Sequence, residues 1–352
     1  MSTPTIPQTM KAVITTADSS TALQEVPVPE IDADEILVKT TAVASNPADW
    51  KLVKFMTIPG TIVGVDFAGV VVKVGSAVTT PAVGTKVAGF VIGGQFTDRG
   101  AYAEYVKTAA DLVWTVPEGT VSDAQAATYG CAAWTAVQNL FLPTRLGLAE
   151  PSDVKAASSK EWVFIYGGST SVGQFAIQLA HAAGYKVVTV ASPKHHELLK
   201  SYGADAVFDY KDSEAITKIK ETTGDSIHLG LDAVSTAETE VFSVKAFATG
   251  AGKLHVLGMA PEADAQSLRP DISIQASTVY TTHGRALGPV PAQPQDKALM
   301  VHFLKKFPEL VKSGALKPNP TKLINGGLAG IPEGFEYMLS GKVSGEKVVY
   351  EL

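Results

Sequence analysis

Short apolar runs separated by Gly, Pro and Asp dominate the first third of the chain. They lie between residues 10 and 116 and are rich in β-branched side chains: MKAVITT, EILVKTTAVA, FAGVVVKVG, GTKVAGFV and AYAEYVKT. This spacing predicts the strands of a small barrel or sandwich. The pattern changes at Ser122, which is the expected N-cap of an alanine-rich helix, DAQAATYGCAAWTAVQNLFL.

The middle of the chain alternates between apolar runs and stretches with helical spacing. After an expected surface loop at 143–160, the strand WVFIY leads into the helix SVGQFAIQLAHAAG. The strand KVVTVA, the helix PKHHELLKSYGA and the strand AVFDY follow. The series ends with a polar helix near 213–222, the strand IHLGLDAV, a helix around 236–248, and the strands KLHVLGM and STVYTT. Such alternation predicts a parallel sheet that is covered on both faces.

A third pattern begins near residue 286. GPVPAQPQ is an expected loop, and KALMVHFLKKFPELVKSG is an expected helix with a Gly C-cap. IPEGFEYMLSG predicts a shorter helix, and EKVVYEL predicts a last strand.

Composition narrows the class of protein. A length of 352 residues favours two domains, and 45% apolar residues with 31 glycines fit a well-packed α/β protein. No apolar run approaches the roughly 20 residues that span a bilayer, and the N-terminus does not resemble a signal peptide. A net charge of −6 without a basic run argues against nucleic-acid binding. The single Cys131 excludes an internal disulfide and any multi-thiolate metal site, so a cytoplasmic setting is expected.

The stretch WVFIYGGSTSVG at 162–173 has the form of a phosphate-binding turn between a strand and a helix. Gly167, Gly168 and Gly173 allow close backbone approach and tight helix packing, although Thr170 stands where the usual fingerprint has a glycine. The turn still offers N–H groups, hydroxyl donors and the positive end of a helix dipole. We therefore expect a dinucleotide pyrophosphate to contact Gly168, Ser169, Thr170, Ser171 and Val172.

The next strand indicates which dinucleotide is bound. A site that prefers NAD usually ends this strand with Asp or Glu, which bonds the adenosine ribose. Here KVVTVA ends in ASPKHH, so Ser192, Lys194 and His195 could instead hold a 2′-phosphate. The alternative is an ordinary helix start with Ser192 as N-cap and Pro193 at the first helical position, and both interpretations can hold together. The missing acid favours NADPH.

Five stretches in this order resemble the medium-chain dehydrogenase/reductase superfamily: SNPADWK (45–51), GVDFAGVV (64–71), YGGSTSVG (166–173), SYGADAVFDY (201–210) and SGEKVVYEL (344–352). The chain is most similar to the zinc-free quinone oxidoreductase and enoyl reductase branch, and within it to the fungal trans-acting enoyl reductases that assist polyketide synthases. The resemblance implies an α/β fold with a GroES-like β-barrel domain at 1–128 and 286–352. It implies a doubly wound Rossmann domain with a parallel sheet at 129–285.

The chain departs from the zinc-dependent members of that superfamily. They carry a catalytic His–Glu pair after a glycine, where this chain has Gly64, Val65 and Asp66. Valine cannot bind zinc, the four-cysteine structural lobe is missing, and the adjacent His195 and His196 do not have ligand spacing. We expect no metal. Without zinc, reducing a conjugated C=C bond is easier than reducing a ketone, because an enolate oxygen needs only hydrogen-bond donors.

The resemblance implies contacts to the nicotinamide end of the cofactor. Asn46 and Asp49 are expected on a loop near the nicotinamide, with Asn46 bonding its ribose or orienting nearby groups and Asp49 organising the loop. Lys51 could direct its charge at the enolate, a ribose hydroxyl or a carrier's phosphopantetheine, or it could be a solvated surface lysine. Thr135 matches a helix position that contacts the nicotinamide carboxamide or ribose, with helix packing as its alternative. Asn46, Lys51 and Thr135 are thus the expected catalytic residues.

Further cofactor contacts are implied elsewhere along the chain. Tyr210 matches a tyrosine that lies against the 2′-phosphate beside Lys194. Val234 and the Leu257–Gly258 pair follow later strands and are expected to line the cleft at the strands' carboxyl ends. Lys347 could reach the cofactor phosphates or be an ordinary charge at a strand edge. Tyr129, Trp134 and Phe141 have near-helical spacing that is more typical of a core than of a substrate box.

The sequence thus predicts an NADPH-dependent, metal-free reductase of activated C=C bonds, which delivers hydride to the β-carbon of an enoyl thioester or another α,β-unsaturated carbonyl compound. A quinone oxidoreductase and a catalytically silent NADPH-binding protein are the alternatives. The expected substrate is a small molecule or is tethered to a carrier, with a polyketide synthase as partner. No nucleic-acid or membrane partner is expected. A monomer is favoured over a homodimer.

Overall fold

The computed structural model describes residues 6–151, 161–258 and 260–352, and its chain forms two compact units. The first unit comprises the residues up to Cys131 together with Val301–Ser313 and Pro318–Leu352. The second comprises Ala132–Met300 and Gly314–Lys317. Part of the expected loop at 143–160 lies outside the described residues.

The first unit is mainly antiparallel β-structure. Its strands are β1 (Thr9–Thr15), β2 (Thr21–Pro27), β3 (Glu35–Ala44), β4 (Asp66–Val74), β5 (Lys86–Phe90), β6 (Tyr105–Ala109), β7 (Val113–Thr115), β14 (Thr321–Leu323) and β15 (Lys347–Glu351). A hairpin of β1 and β2 accompanies a seven-stranded sheet in the order β14-β15-β3-β4-β5-β7, with β6 also paired to β3. The registers Val43↔Phe67 and Val349↔Ala44 bring the ends of β3, β4 and β15 together.

The helices of the first unit are few. They are α1 (Pro47–Phe55), α2 (Asp123–Ala126) and α10 (Ile331–Leu339). The core beneath them is formed by apolar side chains of the sheet, among them Val38, Phe67 and Val71. These strands are buried because their β-branched side chains pack well on a pleated surface.

The second unit is a doubly wound α/β structure. Its strands are β8 (Trp162–Tyr166), β9 (Lys186–Val190), β10 (Ala206–Phe208), β11 (Ile227–Asp232), β12 (Gly252–Leu257) and β13 (Ile272–Ser277). They form a parallel sheet in the order β10-β9-β8-β11-β12-β13, so the order reverses between β8 and β11. Every residue of β8 is buried, as expected for a strand covered on both faces. The predicted fold class is confirmed.

Helices alternate with these strands. They are α4 (Ser171–Ala182), α5 (His196–Ser201), α6 (Ala215–Thr223), α7 (Ala237–Ala246) and α8 (Ala263–Leu268). Two further helices have residues in both units, α3 (Cys131–Phe141) and α9 (Pro294–Lys312). None of the helices among the described residues combines the length and apolar character needed to cross a membrane.

The unit boundary near the C-terminal third differs from the predicted residue 286. Residues 286–300 belong to the second unit. The buried Asp296 at the start of α9 explains this, because its Oδ2 accepts a hydrogen bond from Gln138 Nε2 at 2.7 Å. A buried carboxylate requires such partners, and Gln138 and Thr281 of the second unit provide them.

Two predicted elements are wrong in detail. The expected strand STVYTT is a 3-10 helix, Val279–His283, and the edge strand is the alternating ISIQAS that precedes it. Thr281 and Thr282 bond back to the carbonyls of Thr278 and Val279, which competes with strand pairing.

The expected long helix after Ser122 is also interrupted. A 3-10 turn, Ala127–Tyr129, and Gly130 separate α2 from α3. The Ser122 cap is confirmed, since its hydroxyl accepts the Gln125 N–H at 3.1 Å. Tyr129, Trp134 and Phe141 are buried, which confirms the core interpretation of these aromatics.

Candidate active site

A tight turn of small residues joins β8 to α4. Gly167 has φ of +75°, a conformation that favours glycine. Thr170 is the N-cap of α4, and its hydroxyl accepts the Gly173 N–H at 3.0 Å. The residue that departs from the usual fingerprint therefore stabilises the helix start in place of a third turn glycine.

The glycines of this turn have no room for a side chain. A Cβ at Gly173 would overlap the carbonyl oxygen of Gly167, and one at Gly168 would overlap the Thr189 hydroxyl. Ser169, Thr170, Ser171 and Val172 lie half-exposed at the start of a 12-residue helix. The structure thus brings the five predicted pyrophosphate contacts into one turn, where N–H groups and the helix dipole suit a phosphate.

Ser192 and Tyr210 come together beyond the end of β9. The Ser192 Oγ lies 3.4 Å from the Tyr210 hydroxyl, and Tyr210 is 38% exposed. Lys194 is exposed in the 3-10 helix Pro193–His195 that follows. Pro193 takes the expected first helical position, but the Ser192 side chain makes no cap bond because its hydroxyl faces Tyr210.

The carboxyl ends of β11 and β12 carry Val234, Leu257 and Gly258. The buried Asp232 organises this edge, since its Oδ1 accepts the N–H groups of Val234 and Ser235 at 2.9 and 2.8 Å. Burial raises the pKa of Asp232. Ser235 Oγ in turn accepts the Leu257 N–H at 2.7 Å, so one polar relay orders both loops.

Thr135 lies on α3 and is buried, with 7% of its surface exposed. Its carbonyl oxygen accepts a hydrogen bond from Asn139 Nδ2 at 2.8 Å, and Asn139 Oδ1 accepts from Ser277 Oγ at 2.6 Å. The Asn139 side chain thereby links this helix turn to the end of β13. The predicted contact of Thr135 with the nicotinamide stays a prediction.

In the first unit, the stretch SNPADWK is not a loop, as the sequence predicted, but the start of a helix. Asn46 is the N-cap of α1, Pro47 takes the first position, and Asp49 takes the third. Asp49 Oδ2 accepts the Asn46 N–H at 2.7 Å. An N-cap residue, a proline and an acid at these positions form a helix-start signal that could have been read from the sequence.

The side chain of Asn46 lies in a buried ionic cluster with Asp66 and Lys347. Asn46 Nδ2 donates to Asp66 Oδ2 at 2.9 Å, while the Lys347 ammonium donates to Asn46 Oδ1. Lys347 Nζ also lies 3.0 Å from Asp66 Oδ2, and these two side chains are 3% and 0% exposed. Lys347 is therefore not an ordinary strand-edge charge, and its predicted contact with cofactor phosphates stays a prediction.

A second buried chain of hydrogen bonds begins at Asp49. The Tyr102 hydroxyl donates to Asp49 Oδ2 at 2.9 Å, and Ser45 Oγ lies 2.7 Å from that hydroxyl and 3.0 Å from the hydroxyl of Tyr350. Asp49 Oδ1 has no hydrogen-bond partner among the described residues. Burial, with a further contribution from the charge of Asp66, raises the pKa of Asp49 to about 7. The expectation that Asp49 organises this segment agrees with these contacts.

Lys51 is solvent-exposed on α1. Its ammonium lies 5.7 Å from the centroid of the neighbouring Trp50 ring, within the range of a cation–π interaction. The side chain is thus accessible to a ligand, and its predicted catalytic role stays a prediction.

Comparisons with known proteins show which family this chain resembles. A family model described as an alcohol dehydrogenase GroES-like domain matches residues 32–118, and one described as a zinc-binding dehydrogenase matches 171–300. The chain is 34% identical to the trans-enoyl reductase caaB of Aspergillus niger, covering 99% of this chain and 98% of the relative. It is 34% identical to the trans-enoyl reductase ACTTS2 of Alternaria alternata, covering 98% and 99%.

The chain is an enoyl-reductase-like member of the medium-chain dehydrogenase/reductase superfamily. A solved structure of a putative zinc-dependent alcohol dehydrogenase protein from Rhizobium etli is also similar, with a TM-score of 0.80 and 26% identity over 98% of both chains. The predicted family is confirmed.

Two of these descriptions mention zinc, so we searched the chain for groups of side chains that could bind a metal ion. Among the described residues, no group of three or more His, Cys, Asp or Glu side chains could hold a metal ion. Asp66, at the position of the zinc members' catalytic pair, is instead bonded to Asn46, Lys347 and the N–H of Cys131, the last at 2.6 Å. These three donors occupy both carboxylate oxygens of Asp66.

The sequence did not single out Asp66, Asp232, Ser235, Tyr102 or Tyr350 as site residues. For Asp232 a signal exists, since an acid that closes an apolar strand before a small-residue turn often caps that turn. For Asp66, Tyr102 and Tyr350 the partners are distant along the chain. Ser45 and Tyr350, for example, are 305 residues apart.

Proposed function

We propose that this enoyl-reductase-like chain uses NADPH to reduce the C=C bond of an α,β-unsaturated thioester that is tethered to the carrier of a polyketide synthase. The observation that carries the proposal is the phosphate-binding turn at the carboxyl edge of the parallel sheet, beside the point where the strand order reverses. The relatives named trans-enoyl reductases support the reaction class.

The choice of NADPH rests on the edge beyond β9. Ser192, Lys194 and Tyr210 provide two hydroxyls and a cation at this edge. An acidic residue here, as in sites that bind the adenosine ribose of NAD, would instead repel a 2′-phosphate. Bonds from cations to phosphate are short and strong, so this set of donors favours NADPH over NADH. The glycine cradle at 167–173 and the open space around Gly258 fit the rest of the dinucleotide.

Bound NADPH would supply the hydride that adds to the β-carbon of the substrate. Negative charge then develops on the substrate's carbonyl oxygen, and donors that are already oriented stabilise it. Lys51 is proposed to hold this oxygen or the carrier's phosphate through its exposed ammonium. Thr135 and Asn46 are proposed to bind the nicotinamide carboxamide and ribose.

The test is NADPH oxidation with a panel of substrates: enals, enones, a free enoyl thioester, the same acyl group on a carrier protein, and quinones. We expect turnover with enoyl thioesters, faster on the carrier. Deuterium from labelled NADPH should appear at the β-carbon. Turnover of quinones alone would support the quinone oxidoreductase alternative, and NADPH binding without turnover of any acceptor would support the silent binding protein.

A further inference from the structure

Asp66 accepts hydrogen bonds from three separate segments of the first unit. Its Oδ2 bonds Asn46, the N-cap of α1, and Lys347 of β15, and its Oδ1 bonds the N–H of Cys131, the first residue of α3. Gly130 precedes that residue, and a Cβ there would overlap Asp66 Oδ1. The carboxylate is therefore the common acceptor of the cluster, and it leaves no room for a side chain at residue 130.

A buried ion pair of this kind needs an explanation other than stability. Removing two charges from water is expensive, and an apolar pair of similar volume is often at least as stable. Asp66 and Lys347 are nevertheless almost fully buried. The pair is consistent with a role in fixing a conformation.

The conformation that the pair fixes is the orientation of the Asn46 amide. With Nδ2 toward the carboxylate and Oδ1 toward the ammonium, both ends meet a group of opposite polarity. A reversed amide would place its NH₂ group against Lys347 and its oxygen against Asp66, and both contacts would be repulsive. Asn46 therefore has one orientation, and its remaining hydrogen and lone pair point in fixed directions.

We propose that Asp66 is a positioning residue of the reductase, with Lys347 as its internal counter-ion, and that together they hold the Asn46 amide and the start of α3 in the active arrangement. This inference rests on the proposed function, because Asn46 is proposed to contact the nicotinamide ribose. In this proposal the Lys347 ammonium balances the charge of Asp66 and makes no contact with the cofactor phosphates.

The decisive variant is the double substitution Asp66→Asn/Lys347→Met. It removes both charges, so no unpaired ion is left in the interior, and the introduced amide can still accept the Cys131 N–H. Its NH₂ group then faces Asn46, whose amide is expected to reverse. We expect a folded protein with a kcat lowered about 10- to 100-fold, as for a small misplacement of a positioning group.

A matched control separates positioning from stability. Glu35 and Lys107 belong to another buried charge network in the same unit, with Nζ 3.4 Å from Oε2 and with Arg99 and Asp98 as their further partners. The double substitution Glu35→Gln/Lys107→Met should change the melting temperature but leave kcat unchanged. Lys347→Met alone leaves the Asp66 charge unpaired and should lower the melting temperature more than the Asp66→Asn/Lys347→Met pair does.

A readout without turnover keeps the inference separate from the proposed function. The side-chain amide protons of Asn46, assigned by NMR with Asn46→Asp, should be shifted and slowly exchanging in the wild type and not in Asp66→Asn/Lys347→Met. If the wild type reduces no acceptor but these signals behave as expected, the proposed function is wrong, while the inference that Asp66 and Lys347 fix the Asn46 amide is supported. Wild-type kcat in the double variant overturns the inference. So does a weakened affinity for 2′-phosphoadenosine 5′-diphosphate, which carries the phosphates but lacks the nicotinamide ribose, because that loss would indicate a phosphate contact of Lys347.

Discussion

Replacing Asp49 by Asn should change how the stability of the protein depends on pH. In the folded state this carboxyl is fully buried, and one of its oxygens has no partner among the described residues. Burial raises its pKa to about 7 from an ordinary value of 3.8. The folded protein therefore holds a proton that the unfolded chain has already released at intermediate pH.

The sign of the effect follows from proton binding. Below pH 3.8 the group is protonated in both states and contributes no difference. Between the unfolded and folded pKa values the native state binds more protons, so the free energy of unfolding falls as pH rises. The fall is at most about 1.4 kcal/mol for each pH unit, and over the interval from 3.8 to about 7 it reaches about 4 kcal/mol.

The groups around Asp49 determine the size of this effect. The negative charge of Asp66 raises the pKa, while the Asn46 N–H, the Tyr102 hydroxyl and the charge of Lys347 lower it and oppose desolvation. In Asp49→Asn the amide oxygen can still accept the two hydrogen bonds that Oδ2 now accepts. The variant removes the titration while it keeps the local contacts.

The measurement is urea unfolding of the wild type and Asp49→Asn at pH values from 4 to 8, followed by tryptophan fluorescence and circular dichroism. Two of the four tryptophans, Trp50 and Trp114, lie in the first unit. We expect the variant to gain on the wild type steadily up to pH 7 and to keep a constant advantage above it. Glu118→Gln, at an exposed carboxylate, should show no such trend. A difference between wild type and Asp49→Asn that is independent of pH would refute the reasoning.

Four further predictions concern the cofactor and the chemistry. Lys194→Ala should raise the KM for NADPH tenfold or more, since a charge-assisted bond to phosphate contributes about 1.5–3 kcal/mol, and should leave the KM for NADH nearly unchanged; equal losses would contradict the 2′-phosphate assignment. Protein purified without chelator should contain well below one zinc per chain by elemental analysis, and stoichiometric zinc would contradict a metal-free site. Lys51→Ala and Thr135→Val should each lower kcat about 10²–10³-fold while NADPH still binds, and near-wild-type kcat in both would remove their proposed roles. Gly173→Ala should weaken both NADPH and NADH in titrations of the folded variant, because a Cβ there would overlap the Gly167 carbonyl oxygen; unchanged affinity for both would show that this close approach is not needed.

Local sequence patterns predicted much of the architecture. Strands alternating with helices predicted the parallel sheet, because a strand covered on both faces must be apolar throughout, as β8 is. The small-residue stretch after it predicted the tight turn before α4, where Thr170 makes a cap bond to Gly173. These features depend on residues that are near one another along the chain, so local sequence is enough to predict them.

Only the tertiary structure decided how the polar residues of the first unit are used. The stretch at 279–282 is rich in β-branched residues but forms a 3-10 helix, because hydroxyl-to-carbonyl bonds and burial outweighed strand propensity. Lys347 is 301 residues from Asn46, and no local pattern distinguishes a surface lysine from one that pairs with a buried carboxylate. Strand pairing of β15 with β3, and of β3 with β4, brings Lys347, Asn46 and Asp66 together. Once water is excluded there, each charge must find a partner, and the fold alone determines which partner is within reach.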